Sequence, residues 1–380
     1  MEINIIGGGI GGLTTAIALQ QKGFTVKVYE AAPEIREVGA GLWVAANAMN
    51  IFQRLGIAKE VIEAGNTLKS TLLGDHECNP LSVVDFTKIV QKYGNGTTAI
   101  HRAKLQAILM QNVAKGTIET GKRLKSIHNT EGGVKAIFED GTSAKSDILI
   151  GADGIHSKVR AEILGHIPLR YSGQTCWRGI AKMHLKDPKS ANELWGTQGG
   201  LRSSYSQINA EDVYWYITQK ADEGTKIPAQ EVKKYLFNLV AEFTSDIQNV
   251  IQKTDNQAII QNDLLDLTPL DTWHKGRVVL IGDAAHASTP NLGQGACQAI
   301  EDAYVLAACL SSTPSVSEAF LQYEKMRMKK AKFVVKMSRQ IGMMNNIGGA
   351  IGYRLRNALL RLTPNSVGEK QFDYLFKLDY

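Results

Sequence analysis

Three glycines and one acid near the start of the chain have types and spacing that could bind a nucleotide. Gly7, Gly9 and Gly12 stand in GxGxxG register, and Glu30 closes the next apolar run. In that register the first glycine makes a tight turn, and the second lets backbone approach a pyrophosphate. The third lets a helix pack closely on a strand. Phosphates then meet free N–H groups at the positive end of a helix dipole, and a carboxylate such as Glu30 accepts hydrogen bonds from ribose hydroxyls. A glycine-rich turn alone is weak evidence, so the flanking pattern decides. Glu2–Ile6 reads as a short strand, Leu13–Lys22 as a helix closed by Gly23, and Thr25–Tyr29 as a second strand. Together they make a βαβ unit with the dinucleotide site at its glycine turn. The motif does not separate NAD from FAD.

Two later segments do. Asp147 to Arg160 reads as an apolar strand running into an acidic turn, and Gly276 to His286 as a buried strand ending on Gly282 and Asp283. The second continues through Pro290, Gly293, Gln294 and Gly295 into a helix over Ala296–Leu310. A nicotinamide dehydrogenase has no need of a third nucleotide-touching strand so far along the chain. FAD does, because its ribityl chain and isoalloxazine run past the first βαβ unit. A helix beginning near Gly295 points its positive end at whatever precedes it. Reduced flavin is anionic, so N–H donors fixed there stabilise it without reorganisation. Pro290 shapes the backbone at the reacting face, which makes Pro290, Gly293 and Gly295 the expected catalytic positions.

With these motifs in this order the chain resembles the single-component (group A) FAD-dependent aromatic hydroxylases, from Ile3 to about Arg339. Trp177-Arg178-Gly179 resembles the salicylate and urate hydroxylase branch. The resemblance implies an α/β fold: a Rossmann-like FAD-binding domain of the para-hydroxybenzoate hydroxylase type, an inserted mainly β substrate domain, and C-terminal helices. It implies that Asp283 holds the ribityl chain and that Asp153, Gly154 and Arg160 lie in a segment serving both FAD and NAD(P)H. Arg36 and the stretch from Val38 to Gly41 would line the flavin, and Arg102 would contact FAD. Gly293 to Gly295, Gln294 included, would present N–H groups to it. The implied activity is that of a monooxygenase reduced by NADPH or NADH, in which a flavin C4a-hydroperoxide passes oxygen to a small aromatic or N-heterocyclic substrate. That agrees with the absence of a convincing acid/base pair, a GxSxG motif or a second GxGxxG unit. The sequence has no WxWxIP stretch, which disfavours a halogenase, and no redox cysteine pair, which disfavours a disulfide oxidoreductase. The alternatives are an epoxidase or antibiotic-inactivating hydroxylase on the same scaffold, or a non-catalytic FAD-binding protein.

The elements between these motifs differ in character. Thr175–His184, Leu201–Ile208 and Val213–Thr218 alternate as strands, and Gln230–Phe243 reads as a helix. The expected FAD-binding domain comprises 1–70, 97–170 and 268–310, the substrate domain 71–96 and 171–267, and a helical segment 311–380. Tyr214 and Tyr216 share one strand face, and with Arg202 they are the expected substrate contacts. The competing expectation is aromatic packing for the tyrosines and a solvated position for Arg202. His286 lacks partners at metal spacing, so a structural or flavin-adjacent role is expected and no metal site. Cys297 lies just inside a helix, where a lowered pKa is conceivable, but a small packing residue is expected.

Composition bounds the rest. With 380 residues, 44% hydrophobic and 21% charged, the chain reads as globular and of two domains. Four cysteines without CxxC spacing indicate neither a disulfide framework nor a zinc site, and a cytoplasmic location is expected. Ile5 to Leu19 is broken by glycines and preceded by Glu2, which argues against a signal peptide. The net charge of +6 arises from 43 basic and 37 acidic residues. Residues 325–361 hold basic side chains and no acid, and the remainder is slightly acidic. No nucleic-acid partner is therefore expected. Lys325–Met344 reads as a basic amphipathic helix whose Met and Val side chains cover the FAD domain while Lys and Arg face water. Membrane contact through it is the less favoured alternative.

Overall fold

Ile3, Ile5 and Ile6 leave the first strand no exposed face beyond Glu2, as expected of a strand buried on both sides of a parallel sheet. In the computed structural model, which describes residues 1–34, 40–243 and 245–380, Glu2–Ile6 lies between Thr25–Tyr29 and Ile148–Gly151, parallel to both. Val278–Leu280 continues the sheet beside Ile148–Gly151, and Ile118–Glu119 flanks Thr25–Tyr29. The three nucleotide motifs thus leave the same end of one sheet. Helix Ile10–Gln21 packs on helix Gly295–Ser312 through small residues, and a Cβ on Gly11 would lie 3.1 Å from that of Ala299.

A second, seven-stranded sheet runs in the order Ile260–Leu267, Leu169–Lys182, Asp212–Lys220, Arg202–Gln207, Ser190–Trp195, Ser70–Asp75, Pro80–Asp85. Its pairs are antiparallel except Ser190–Trp195 with Ser70–Asp75. One face carries Trp177, Tyr205 and Trp215 into a core with Leu236 and Ile247 from helices Val232–Leu239 and Ser245–Gln252. The helix read at Gln230–Phe243 is therefore shorter and is followed by a second. The strands Ser190–Trp195 and Ile260–Leu267 were not anticipated, because SANELW and IQNDLLDL show no clean alternation. Ser190–Trp195 is held as a strand by neighbours on both sides, and Ile260–Leu267, at the sheet's edge, by its long pairing with Leu169–Lys182. Arg202–Gln207 is buried at every residue although its sequence is RSSYSQ.

The long helix Val316–Asn345 corrects the expectation that its basic side chains face water. Tyr323, Ala331 and Val334 are buried, and so are Arg327 and Lys330. Arg327 Nη1 reaches Glu301 Oε2 at 2.7 Å and its Nε reaches Asp302 Oδ1 at 2.8 Å. Lys330 Nζ lies 2.9 Å from Glu301 Oε2, and the Tyr380 hydroxyl also contacts Glu301. Asp302 further accepts from Gly282 N at 2.9 Å and pairs with His286 Nε2 at 2.6 Å. Helical spacing puts Arg327 and Lys330 on the inner face, where the acids of the neighbouring helix meet them. His286 is thereby structural.

Burial alone would raise the Asp302 carboxyl, but the charges of His286 and Arg327, with hydrogen bonds from His286 and Gly282, hold it down at about 2. Such a depressed carboxyl stabilises the fold while ionised. Its contribution is complete above about pH 4 and is lost as the pH falls towards 2. Arg327→Met leaves Glu301 with Lys330 alone and Asp302 with His286 alone, and breaking the buried network in this way is expected to cost about 3–5 kcal/mol in urea unfolding at neutral pH. The gap between parent and variant should narrow as the pH falls from about 4 towards 2, because the variant has less charge-dependent stability to lose.

Candidate active site

The glycine turn divides its three glycines between packing and access. A Cβ on Gly7, whose φ is +111°, would fall 2.3 Å from the Ala152 carbonyl oxygen, and one on Gly12 would fall 2.0 Å from that of Gly7. These two lock the turn against the sheet. A Cβ on Gly9 would meet nothing within 4 Å, and the space it faces is a cleft of about 690 Å³ lined also by Glu30, Asp153 and Gly154. Glu30 is held at the cleft because its carboxylate accepts from Gly8 N at 2.7 Å and from Ala32 N at 2.9 Å. Gln106, on helix Arg102–Gln111, donates to the Gly8 carbonyl at 2.7 Å and braces the turn from outside.

The second segment works through its backbone. Asp153 accepts from Ser157 Oγ at 2.5 Å and from the backbone N–H of Lys158 at 2.7 Å and Val159 at 3.0 Å, which fixes the start of helix Lys158–Leu164. Burial pushes its carboxyl up, and those hydrogen bonds partly offset the shift. Arg160 is buried and donates to the carbonyls of Ala284 at 3.0 Å and Ile155 at 2.7 Å, tying this turn to the next. Both side chains are spent on shaping the turn. Gly154, with φ of +79° and open space at its Cβ position, brings backbone to the cleft beside Asp153.

The third segment presents charge and free donors. Asp283 is exposed at the head of the short helix Asp283–His286, and no described residue donates a hydrogen bond to it. Surrounding protein pushes its carboxyl up, while His286 and Arg102 pull it down. Arg102 is exposed at the first turn of its own helix. A Cβ on Gly295 would lie 3.8 Å from Asp283 Oδ1, so the acid sits beside the start of helix Gly295–Ser312, which no side chain caps. Pro290 opens a 3-10 turn that closes on Gly293 in the left-handed region, at φ +62°. Gln294 is buried and accepts from Asn47 at 3.0 Å, so it offers the site only its backbone. Cys297 is buried too, and burial pushes its thiol up to about 12, which removes any activated role. Arg36 lies outside the described residues.

The second face of the large sheet closes the site. Cross-strand register pairs Ser204 with Tyr216 and Ser206 with Tyr214, and sets Glu193 opposite Ser204. The Tyr214 and Tyr216 rings are 6.3 Å apart. Arg202 is 1% exposed, which excludes a solvated position; its guanidinium lies 5.3 Å over the Tyr216 ring and donates to Asn291 Oδ1 at 2.6 Å. Tyr216 donates to Glu193 Oε2 at 2.7 Å. Asn291 stands between Pro290 and Gly293, so this bond joins the sheet to the turn that precedes the uncapped helix. A Cβ on Gly41 would fall 2.4 Å from Tyr214 Cγ, and the absence of a side chain there lets strand Gly41–Val44 approach the tyrosine. Glu193 and Asn291 were missed by sequence reasoning. Asn291 was findable inside the segment already singled out, whereas Glu193 carried no signal.

An open backbone at Gly9, an unpartnered Asp283 and an uncapped 18-residue helix suit a ligand with a pyrophosphate, hydroxyls and an anionic ring. The residues present fit FAD, and fold and cleft define a flavoprotein oxidoreductase. Residues 1–338 match the family described as FAD binding domain, and the chain belongs to that family. It is 34% identical to an aurachin C monooxygenase/isomerase from Stigmatella aurantiaca, over 95% of this chain and 94% of the relative. It is 31% identical to a 2-heptyl-3-hydroxy-4(1H)-quinolone synthase from Pseudomonas aeruginosa, over 99% and 98%. The structure of Klebsiella pneumoniae HpxO complexed with FAD and uric acid superposes with a TM-score of 0.92 at 28% identity, covering 99% of this chain and 96% of that one.

Gly9→Ala and Gly12→Ala should separate the two glycine roles. Gly9→Ala is expected to leave the melting temperature of FAD-free protein within a degree or two and to weaken FAD binding at least tenfold, about 1.4 kcal/mol, by fluorescence titration. Gly12→Ala should lower the melting temperature itself. Asp283→Ala should behave like Gly9→Ala.

Proposed function

We propose that the chain is an FAD-dependent monooxygenase that uses NAD(P)H and O2 to hydroxylate a small aromatic or N-heterocyclic substrate. The observation that carries this reading is the meeting of the Arg202, Tyr214 and Tyr216 face with the Pro290–Gly295 turn through the Arg202–Asn291 hydrogen bond. FAD, when bound, supplies the electron transfer from NAD(P)H and the activation of oxygen. Gly7, Gly9 and Gly12 would hold its pyrophosphate, Glu30 its ribose, and Asp283 with Arg102 its ribityl side. The first N–H groups of helix Gly295–Ser312 favour negative charge on the ring system.

The chain's own residues then shape the substrate recess. Tyr214 and Tyr216 offer ring faces for stacking on a flat heterocycle. Burial pushes both phenols up, so they stay neutral, and Tyr216 remains a donor to Glu193. Arg202 stays charged and can face an electron-rich oxygen or ring nitrogen. The printed names of the relatives, urate hydroxylase and quinolone synthase among them, support an N-heterocycle. The proposed division gives FAD binding to 1–70, 97–170 and 268–310 and substrate binding to 71–96 and 171–267, with 311–380 a helical segment. Buried free thiols at Cys176, Cys297 and Cys309 accord with work in the cytoplasm.

Purified protein should show a flavin spectrum, and a panel including urate and 4-quinolones should contain a compound that stimulates NAD(P)H oxidation and is recovered oxygenated. Stimulation that ends only in hydrogen peroxide across the whole panel, or none at all, would sink the hydroxylase reading. Arg202→Lys removes the planar fork and is expected to raise KM for the productive substrate about tenfold, near 1.4 kcal/mol, and to divert turnover towards peroxide.

A further inference from the structure

The helix Gly352–Leu362 is held firmly with its apolar side turned outwards. Arg356 is 1% exposed, donates to the carbonyls of Gly196 at 2.8 Å and Ile347 at 3.0 Å, and lies 5.1 Å over the Trp195 ring. Asn357 beside it is buried, and Arg361 reaches Asp75 at 2.9 Å. The opposite side carries Ile351, Leu355, Leu359 and Leu362, exposed by 81%, 62%, 59% and 78%. Steps of four, four and three put them on one face of a helix. Met343 and Ile347, exposed at the end of the preceding helix, extend the apolar surface. A patch of this kind, on a helix anchored by a buried arginine, is more than the scattered exposed leucine of an ordinary surface.

The charges around it point to one occupant. From Lys325 to Gly368 the chain has no Asp or Glu. Arg354 is exposed within the helix, and Lys336 is exposed about two turns before Met343 on Val316–Asn345. We propose that Gly352–Leu362 docks on an anionic lipid bilayer, with its leucines among the acyl chains' outer carbons and the basic side chains at the headgroups. This is the pattern of a helix lying in the interface. Eleven residues rise about 16 Å, about half the hydrocarbon thickness, so the helix lies on the bilayer and does not span it. No helix among the described residues is long and apolar enough to cross a membrane. A second copy of the chain is the poorer fit, since pairing this face with itself opposes two acid-free basic rims. The surface centres on Gly352–Leu362, beyond the Lys325–Met344 stretch where the sequence had placed the alternative of membrane contact, and the proposal stands independently of the substrate reading.

The test is co-sedimentation of the full FAD-bound chain with vesicles of phosphatidylcholine alone and of phosphatidylcholine with phosphatidylglycerol. The parent should pellet with the anionic vesicles, at least tenfold more than with neutral ones, and about 0.5 M salt should weaken this by screening. Leu355→Glu/Leu359→Glu should reduce pelleting at least tenfold while FAD content and melting temperature stay unchanged, because both side chains are exposed. Equal pelleting of parent and variant, or no pelleting of the parent, would overturn the proposal. So would a dimer in sedimentation equilibrium that the variant dissolves while neither protein binds vesicles.

Discussion

The position of the active-site turn depends on a pair of adjacent acids buried in the protein. Glu301 and Asp302 sit two turns into helix Gly295–Ser312 and are neutralised by Arg327 and Lys330 from the next helix. Because unpaired charges are so costly to bury, the four groups have one acceptable arrangement. Asp302 extends it to Gly282 N and His286, and Glu301 to Asn47, so the strand end, the Asp283 helix and the strand–helix connection near Ala45 are all referred to one point. The uncapped N-terminus of Gly295–Ser312 is then aimed by a constraint more than a turn away. An ion network of this kind adds less to stability than its distances imply. Its contribution is a single geometry.

The large sheet solves a different problem by having two unlike faces. Trp177, Tyr205 and Trp215 give one face a core of its own with the helices behind it. Glu193, Arg202, Ser204, Tyr214 and Tyr216 give the other a polar and aromatic lining that would be poorly stable as a core. The first face holds the sheet together, so the second need not. At Gly41 against Tyr214, Trp43 against Ser206 and Arg202 against Asn291 the lining grips the rest of the molecule.

How much of this could be read in the sequence follows from what each residue depends on. Gly7, Gly9, Gly12 and Asp283 were legible because a backbone geometry or a strand end demands them within a few residues of a recognisable strand. The strand Thr25–Tyr29 was legible because its alternation is local. Glu193 was not, since its meeting with Tyr216 is set by register across the Arg202–Gln207 strand between them. Arg327 and Lys330 were read as solvated because charge alone favours water, and only the acids of a neighbouring helix reverse that preference. Asp153 and Arg160 were read as cofactor-binding, but in the fold their side chains serve the turn, a distinction that spacing cannot make.

The strand Arg202–Gln207 has a consequence for how such a protein can change. Its residues alternate between the helix-backed core and the recess, with Ser203 and Tyr205 on one side and Arg202, Ser204 and Ser206 on the other. The serines on the recess side are small and occupy no position in the tryptophan core. Larger or apolar replacements at Ser204 would therefore recontour the chamber without reaching the layer that keeps the sheet folded. On the proposed function, selectivity and foldability are written on alternate letters of the same six-residue word, and one can be revised while the other is left standing.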